Sequence, residues 1–484
     1  LEQVPILRDF PHTNCLWQLD EDPTDALQLL EQLQGLTPES LTVLWPKGDP
    51  ISVRSVSAQQ FQIAIQSTQD WFELDGKVTV DEDLIFKMRE FFAAMDQASG
   101  SFIRISDNHY LSLTKQFRRD LNLLRAAGKF KGKGDTLQIH PLAALGLDEW
   151  KEQVQSFQAD KAFNAHMKRV RALENYHPEL PSTLQAELRP YQQDGFVWLA
   201  RLAQWGVGAC LADDMGLGKT VEALALILLR AAQGPTLVVA PTSVCANWVS
   251  EIYRFAPTLN PIRIGIDDQG QRKAVLDALK PFDLLVCTYT LLQQETDALK
   301  DVQFTTIVLD EAQAIKNPNT KRSQAAMALQ GGLRMVSTGT PIENRLIELW
   351  NLFRFINPGL LGSQKHFNDR FVRPIEVHSD KLARHTLKSL ITPFVLRRTK
   401  SQVLEDLPPR TELLRLVELS SEERALHESL RLRAIDRLER GRSKAPGQRH
   451  LQVLAELMKL RRCCCNPRLV MPNCGLAGSK LQVF

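Results

Sequence analysis

Between Gly208 and Thr338 the sequence alternates short apolar runs with helical stretches, and that alternation leaves few architectures open. Ala209–Ala212, Thr236–Ala240, Pro261–Ile266, Asp283–Cys287, Thr305–Leu309 and Arg334–Ser337 read as strands buried on both faces. Such strands need cover on each side, which a parallel sheet with crossover helices supplies. The expected fold is a doubly wound α/β domain, whose ligands bind beyond the C-terminal ends of its strands. After Ile342 no further strand is expected. Glu343–Phe355, Asp380–Leu390, Ser421–Glu439 and Leu451–Arg462 carry helical patterns, so a helical extension follows the sheet.

The region before the sheet has a different texture and ends near residue 140. Trp71–Val80 reads as two short strands around the turn signal Asp75-Gly76, followed by an amphipathic helix from about Asp83 to Asp96. Ser101–Leu113 alternates around Asp107-Asn108, and Thr114 is placed to cap a helix running to about Ala127. The two stretches suggest a degenerate strand-strand-helix repeat within an α+β accessory domain.

With 484 residues the chain is expected to hold several domains, and 44% hydrophobic content excludes wholesale disorder. The longest strongly apolar stretch, Ala223–Leu229, is far short of the ~20 residues of a spanning helix. A net charge of only +3 means that any nucleic-acid surface must be a local patch. Eight cysteines, three of them the consecutive Cys463, Cys464 and Cys465, do not form a disulfide framework, which implies a reducing, cytoplasmic setting. The chain begins at Leu1 and is expected to be a fragment.

Asp213-Asp214-Met215-Gly216-Leu217-Gly218-Lys219-Thr220, followed by Val221, lies between an apolar strand and a helix, where a phosphate-binding loop belongs. Its glycines let backbone N–H groups curl around phosphate oxygens. Lys219 supplies a mobile positive charge, and the Thr220 hydroxyl can ligate Mg²⁺. Asp213 stands where the common pattern has its first glycine. Further on, Thr306–Leu309 runs into Asp310-Glu311-Ala312-Gln313 at a strand's C-terminal end. Asp310 is placed to hold Mg²⁺ through water, and Glu311 to orient or deprotonate the attacking water.

These residues resemble superfamily-two helicase-like ATPases, and more narrowly the Swi/Snf family of DNA translocases. The likeness covers roughly residues 185–484. It includes Leu188-Arg189-Pro190-Tyr191-Gln192, Ala240-Pro241-Thr242-Ser243 with Asn247-Trp248, Thr288-Tyr289 and Ser337–Asn344. Text particular to the family adds Ile315-Lys316-Asn317, Leu349-Trp350-Asn351-Leu352, Pro374-Ile375-Glu376, Phe394–Lys400 and Asp406–Pro409. The resemblance implies a RecA-like motor lobe over residues 185–358, with a helical extension over 359–476. A truncated second lobe would open at 477–484, after the accessory region 1–140 and a helical connector 141–184.

By the same resemblance ATP and Mg²⁺ are the cofactors, Gln192 with Arg189 reads adenine, and Lys219, Asp310 and Glu311 carry the hydrolysis. Pro241, Thr242, Ser243, Thr288, Tyr289, Lys316, Asn317, Ser337 and Thr338 would touch double-stranded DNA or couple it to the nucleotide. Contacts to phosphates carry no sequence information, so duplex tracking without strand separation is expected. Gln313 departs from the His of many relatives. The accessory region is similar to that of some bacterial relatives around Asp70-Trp71-Phe72 and Val80–Asp83, and implies a bacterial source and a protein or nucleoprotein partner through residues 1–140. In the family, the second motor lobe supplies arginines to the transition state, so this chain alone is expected to be a weak ATPase. The competing reading is a non-hydrolysing DNA-binding regulatory module. A guanine-nucleotide switch is a third, but no Asn-Lys-x-Asp motif is present.

Two basic stretches remain. Lys115–Asp135 and Arg431–His450 each hold seven bases and two acids. Each reads as a solvated helix face with a loop, the alternative being a grip on DNA. Cys463–Cys465 and Cys474 lack paired zinc-ligand spacing and fit small apolar positions better.

Overall fold

The computed structural model describes residues 4–8, 10, 12–13, 16–17, 23–34, 36, 51–81, 84–98, 102–106, 108–263, 269–339, 345–403, 413–440 and 446–483. Two compact units, 1–405 and 406–484, make up the chain. No described helix is long and apolar enough to cross a membrane.

In the first unit, Phe61–Ser67 and Phe72–Asp81 form an antiparallel ladder that is extended by Leu84–Lys87, Leu137–Ile139 and Gly128–Phe130. Ser156–Ala159 joins the same sheet, parallel to Phe61–Ser67. The hairpin expected at Asp75-Gly76 is absent, because those residues lie inside the strand Phe72–Asp81. The glycine serves packing instead of turning. A Cβ on Gly76 would stand 2.1 Å from the Met88 side chain and 2.9 Å from the Phe61 ring. The following helix is Met88–Gln97, starting later than expected because Leu84–Lys87 is a strand; Asp83 lies outside the described residues.

The second expected hairpin is present as Phe102–Ser106 against His109–Leu113, with Asp107 outside the described residues. Thr114 accepts from the Phe117 N–H and caps the helix Lys115–Ala127, as its sequence suggests. This hairpin belongs to a separate sheet, in which His109–Leu113 runs parallel to Ser52–Val56. The strand-strand-helix order therefore recurs, but the pairings differ.

The α/β domain follows. Its elements are α1 (Pro190–Trp205), β1 (Ala209–Leu211), α2 (Lys219–Arg230), β2 (Thr236–Ala240), α3 (Thr242–Phe255), β3 (Asn260–Arg263), β4 (Asp283–Thr288), β5 (Gln303–Asp310) and β6 (Gln330–Ser337). The final strand, β7, is Val395–Leu396, and the sheet order is β3-β4-β2-β5-β6-β1-β7. All pairings are parallel. This is the RecA-like α/β lobe, with β1, β2, β4 and β5 almost wholly buried between helix layers.

β7 corrects the expectation that strands end at Ile342. Two residues are too few to show a period, yet Ala212 N–H donates to the Leu396 carbonyl at 2.7 Å and Asp214 N–H to the Arg398 carbonyl at 3.0 Å. The helices between β6 and β7 are Leu346–Ile356, Gln364–Phe367 and Lys381–Ile391, with a π-helical segment Asn368–Val377 around Pro374. Pro341–Asn344 and Asp406–Pro409 lie outside the described residues.

The second unit is a pair of helices, Ser421–Arg440 and Pro446–Cys465, with a short helix Ser479–Val483. Glu423 is buried and accepts from the N–H groups of Ser420 and Ser479, at 3.0 and 2.8 Å.

Candidate nucleotide site

The phosphate loop joins β1 to α2, so the N–H groups at the start of a 12-residue helix face the strand edge. Unpaired donors and the helix dipole favour an anion there. Gly216 and Gly218 both sit at φ +85°, a left-handed backbone that a side chain would strain. The Lys219 ammonium donates to the carbonyls of Asp213 at 2.7 Å and Asp214 at 3.2 Å, which holds the charge inside the loop.

Gln192 braces the same loop from α1. Its Oε1 accepts from the Arg189 N–H at 2.9 Å, closing a capping box, and its Nε2 donates to the Leu217 carbonyl at 3.0 Å. The Tyr191 hydroxyl donates to that carbonyl too, at 2.9 Å. A Cβ on Gly218 would lie 2.3 Å from Gln192 Nε2, so this glycine also makes room for the amide.

The loop's irregular first residue has a structural partner. Asp213 is wholly buried, and Arg398, which follows β7, donates to it from its backbone N–H at 2.8 Å and from its guanidinium. The same guanidinium bonds Glu222 at 2.9 Å and the Tyr191 carbonyl, and it lies over the Tyr191 ring. One cation thus faces two buried carboxyls. Burial pushes Glu222 up to about 8, Asp213 adding to the shift while Arg398 and Lys219 oppose it. Glu222 therefore carries a proton near neutrality, and Arg398 and Asp213 form the ion pair. Neither Arg398 nor Glu222 was expected in the site. Their signals were a charged residue inside the apolar face of α2 and the Arg397-Arg398 pair after an apolar run.

The acidic box ends β5. Asp310 lies opposite Ser337 of β6, and Ser337 in turn lies opposite Leu211 of β1, so the box and the loop flank one strand. Trp248 of α3 donates its indole N–H to Asp310 Oδ2 at 2.8 Å, and Tyr289 donates its hydroxyl to the Asp310 carbonyl at 2.8 Å. Glu311 has φ +49°, a left-handed conformation that costs a non-glycine residue ~1–3 kcal/mol and turns its side chain out of the strand line. Gln313 Nε2 donates to Glu311 Oε2 at 2.8 Å, while its Oε1 accepts from the Thr338 hydroxyl at 3.1 Å.

Glu251 lies one turn after Trp248. Burial, reinforced by Asp310, raises its carboxyl above the usual range, while the Thr220 hydroxyl opposes that shift. Thr220 and Asp310 carry oxygen donors of the kind a hard divalent cation such as Mg²⁺ takes, and the Glu251 Oε2 is a buried acceptor left without a partner among the described residues.

The residues expected to meet DNA divide in two. Thr242, Ser243 and Asn317 are exposed, Pro241 and Lys316 partly so. Tyr289, Ser337 and Thr338 are buried, and Tyr289 and Thr338 bond into the acidic box. The Thr288 hydroxyl caps the helix Tyr289–Gln294, accepting from the Leu291 N–H at 3.1 Å. Asn351, of the Leu349–Leu352 text, is buried and donates to the Ile315 carbonyl and the Ser323 hydroxyl, fixing the segment after the acidic box.

Comparison with known proteins places these features in context. The SNF2-related domain matches residues 191–469. The ATP-dependent helicase/translocase YwqA of Bacillus subtilis is 39% identical over 329 residues, which cover 65% of this chain and 35% of that protein. TATA-binding protein-associated factor 172 of Homo sapiens is 34% identical over 287 residues, 54% of this chain and 15% of that protein. The Sulfolobus solfataricus SWI2/SNF2 ATPase core in complex with dsDNA is 36% identical, with a TM-score of 0.45 over 64% of this chain and 65% of that one. This chain thus spans about a third of the Bacillus relative.

Proposed function

The chain belongs to the SNF2-related domain family, a Swi/Snf branch of the superfamily-two ATPases, and from that premise we propose that it acts as an ATP-dependent translocase on double-stranded DNA. The observation that carries the reading is that Leu211 before the phosphate loop and Asp310 of the acidic box pair with the same residue, Ser337, from either side of β6. A loop and an acid pair brought to one point have the layout that phosphoryl transfer to water requires.

In this reading the α2 N–H groups and Lys219 hold the ATP phosphates. The ammonium exchanges the Asp213 and Asp214 carbonyls for phosphate oxygens. Arg189 and Gln192 lie on the adenine side, and to read the base the Gln192 amide gives up one of its two present bonds. Thr220 and Asp310 would hold Mg²⁺, which when bound neutralises charge on the phosphates. Glu311 takes a proton from the attacking water. Its partner Gln313 orients it and, through Thr338, ties it to the end of β6. Thr242, Ser243, Lys316 and Asn317 meet the DNA backbone.

Displacement of the third strand from a triplex on duplex DNA tests the translocation. ATP-driven release of that strand with the underlying duplex intact is expected. Separation of the duplex itself would place the protein among unwinding helicases instead.

A further inference from the structure

A cavity of about 390 Å³ lies between the accessory helix Lys115–Ala127 and the segment that runs from His366 to Thr386 in the extension. It adjoins a second cavity of about 390 Å³, and Asp96, Arg125, His366 and Arg370 line both. Lys129 lines the second. The basic stretch Lys115–Asp135 thus turns part of its charge inward, toward the extension.

The first cavity is also lined by Asp369 and Asp380, whereas the second has Arg89, Arg125, Lys129 and Arg370 against Asp96 alone. Asp96 is committed to Arg125, whose guanidinium bonds both of its carboxylate oxygens. Arg370 has no hydrogen-bond or ion-pair partner among the described residues, although it is partly buried and stands beside Arg125. Burial and that neighbour push it down to about 9, with Asp96 opposing the shift from a distance. Asp369 is exposed and makes no bond to it. His366 is lowered by burial and then by Arg370 and Lys129, and an imidazole offers no negative charge to either guanidinium. An unpaired guanidinium next to a second one is costly in low dielectric unless an anion joins them. Its planar fork of donors matches phosphate oxygens.

We propose that the second cavity binds a phosphate-type oxyanion, held by Arg370 and Lys129 with Arg125 beside them, bridging the accessory domain and the helical extension. The anion would act as a clamp, since Arg125 and Lys129 come from one domain and Arg370 from the other. Its source is either free phosphate or pyrophosphate, or a backbone phosphate of nucleic acid. The site is separate from the phosphate loop and does not depend on the reading of that loop.

The test is calorimetric titration of pyrophosphate into the chain carrying Lys219→Ala, which weakens binding at the phosphate loop. Binding is expected there, and adding Arg370→Gln should weaken it about ten- to a hundredfold, the worth of a charge-assisted contact. The melting temperature should hold or rise, because an uncompensated charge has been removed. Lys129→Gln, at an exposed position, gives a second reading independent of folding and should weaken binding several-fold. Competition by a short duplex would identify the backbone as the source, and its failure to compete would identify the free anion. Pyrophosphate binding that is absent, or that is equal with and without Arg370 and Lys129, would overturn the proposal.

Discussion

Arg398 grips Asp213 from 185 residues further along the chain, with its main-chain N–H at 2.8 Å and its Nε at 2.9 Å from the two carboxylate oxygens. The pair ties the short strand β7, and with it the segment that follows the helix Lys381–Ile391, to the first residue of the phosphate loop. An aspartate at this point is tolerable because its charge is neutralised inside the fold. The loop's shape therefore depends on a segment that follows the sheet's other strands by a long detour.

Replacing Arg398 with alanine is expected to destabilise the first unit by about 3–5 kcal/mol, because Asp213 would be left buried and unpaired. Arg398→Lys should recover part of this, since it restores a charge but not the fork that spans Asp213, Glu222 and the Tyr191 carbonyl. Denaturant unfolding measures both, and a loss under 1 kcal/mol in the alanine variant would contradict the account.

Glu222 makes this cluster sensitive to pH. Its carboxyl sits at about 8 in the fold against an ordinary 4.5, so the folded state holds a proton that the unfolded chain releases between those values. The associated stability is complete below about pH 4.5 and is lost as pH rises through about 8, at up to ~1.4 kcal/mol per unit. Glu222→Gln should flatten that slope, matching the wild type near pH 4 and becoming the more stable of the two as pH rises past 6. Equal slopes in the two proteins would remove the proton from Glu222.

Much of this was legible in the sequence, and the exceptions share a cause. Lys219, Asp310 and Glu311 stand out by residue type and by position relative to a strand end, and the structure places Lys219 at the start of α2 and Asp310 at the end of β5. Four of the strands in the sheet were visible through their apolar runs close to the observed bounds, while Arg334–Ser337 caught the second half of Gln330–Ser337 and Pro261–Ile266 overlapped the observed Asn260–Arg263. β7 was not, because two residues give no periodicity, and its place depends on a hydrogen-bond ladder with residues far earlier. Asp75-Gly76 misled for the opposite reason. The dipeptide has turn chemistry, but the Met88 and Phe61 side chains need the space that a glycine leaves. Arg398 and Glu222 carry local signals, but what they meet lies 176 to 185 residues away, and no local pattern encodes that pairing.

Lys219→Ala and Glu311→Gln should separate nucleotide binding from its consumption. Loss of the ammonium removes a charge-assisted contact to phosphate and should weaken ATP binding about ten- to a hundredfold. Glu311→Gln should bind ATP normally and slow turnover about 10²–10⁴-fold, the range of a general base. Equilibrium binding of a fluorescent ATP analogue, read beside steady-state turnover, gives both values. Wild-type turnover in Glu311→Gln would sink the assignment of that carboxylate.

Gln313 bridges Glu311 and Thr338, at 2.8 and 3.1 Å. If that bridge carries the link between DNA and the acidic box, Gln313→Ala should lower stimulation by DNA about fivefold or more while basal turnover changes less. Equal losses in basal and stimulated rates would reduce Gln313 to a local prop for Glu311.

The central claim is that duplex DNA drives ATP hydrolysis at the Lys219, Asp310 and Glu311 site. The most direct measurement is ATP turnover by the protein with and without a plain duplex of arbitrary sequence, at two salt concentrations. The account predicts stimulation by duplex DNA whatever its sequence, an apparent affinity that falls steeply as salt rises, and loss of the stimulated rate in Glu311→Gln. Turnover indifferent to duplex DNA, or stimulated by RNA alone, would contradict it.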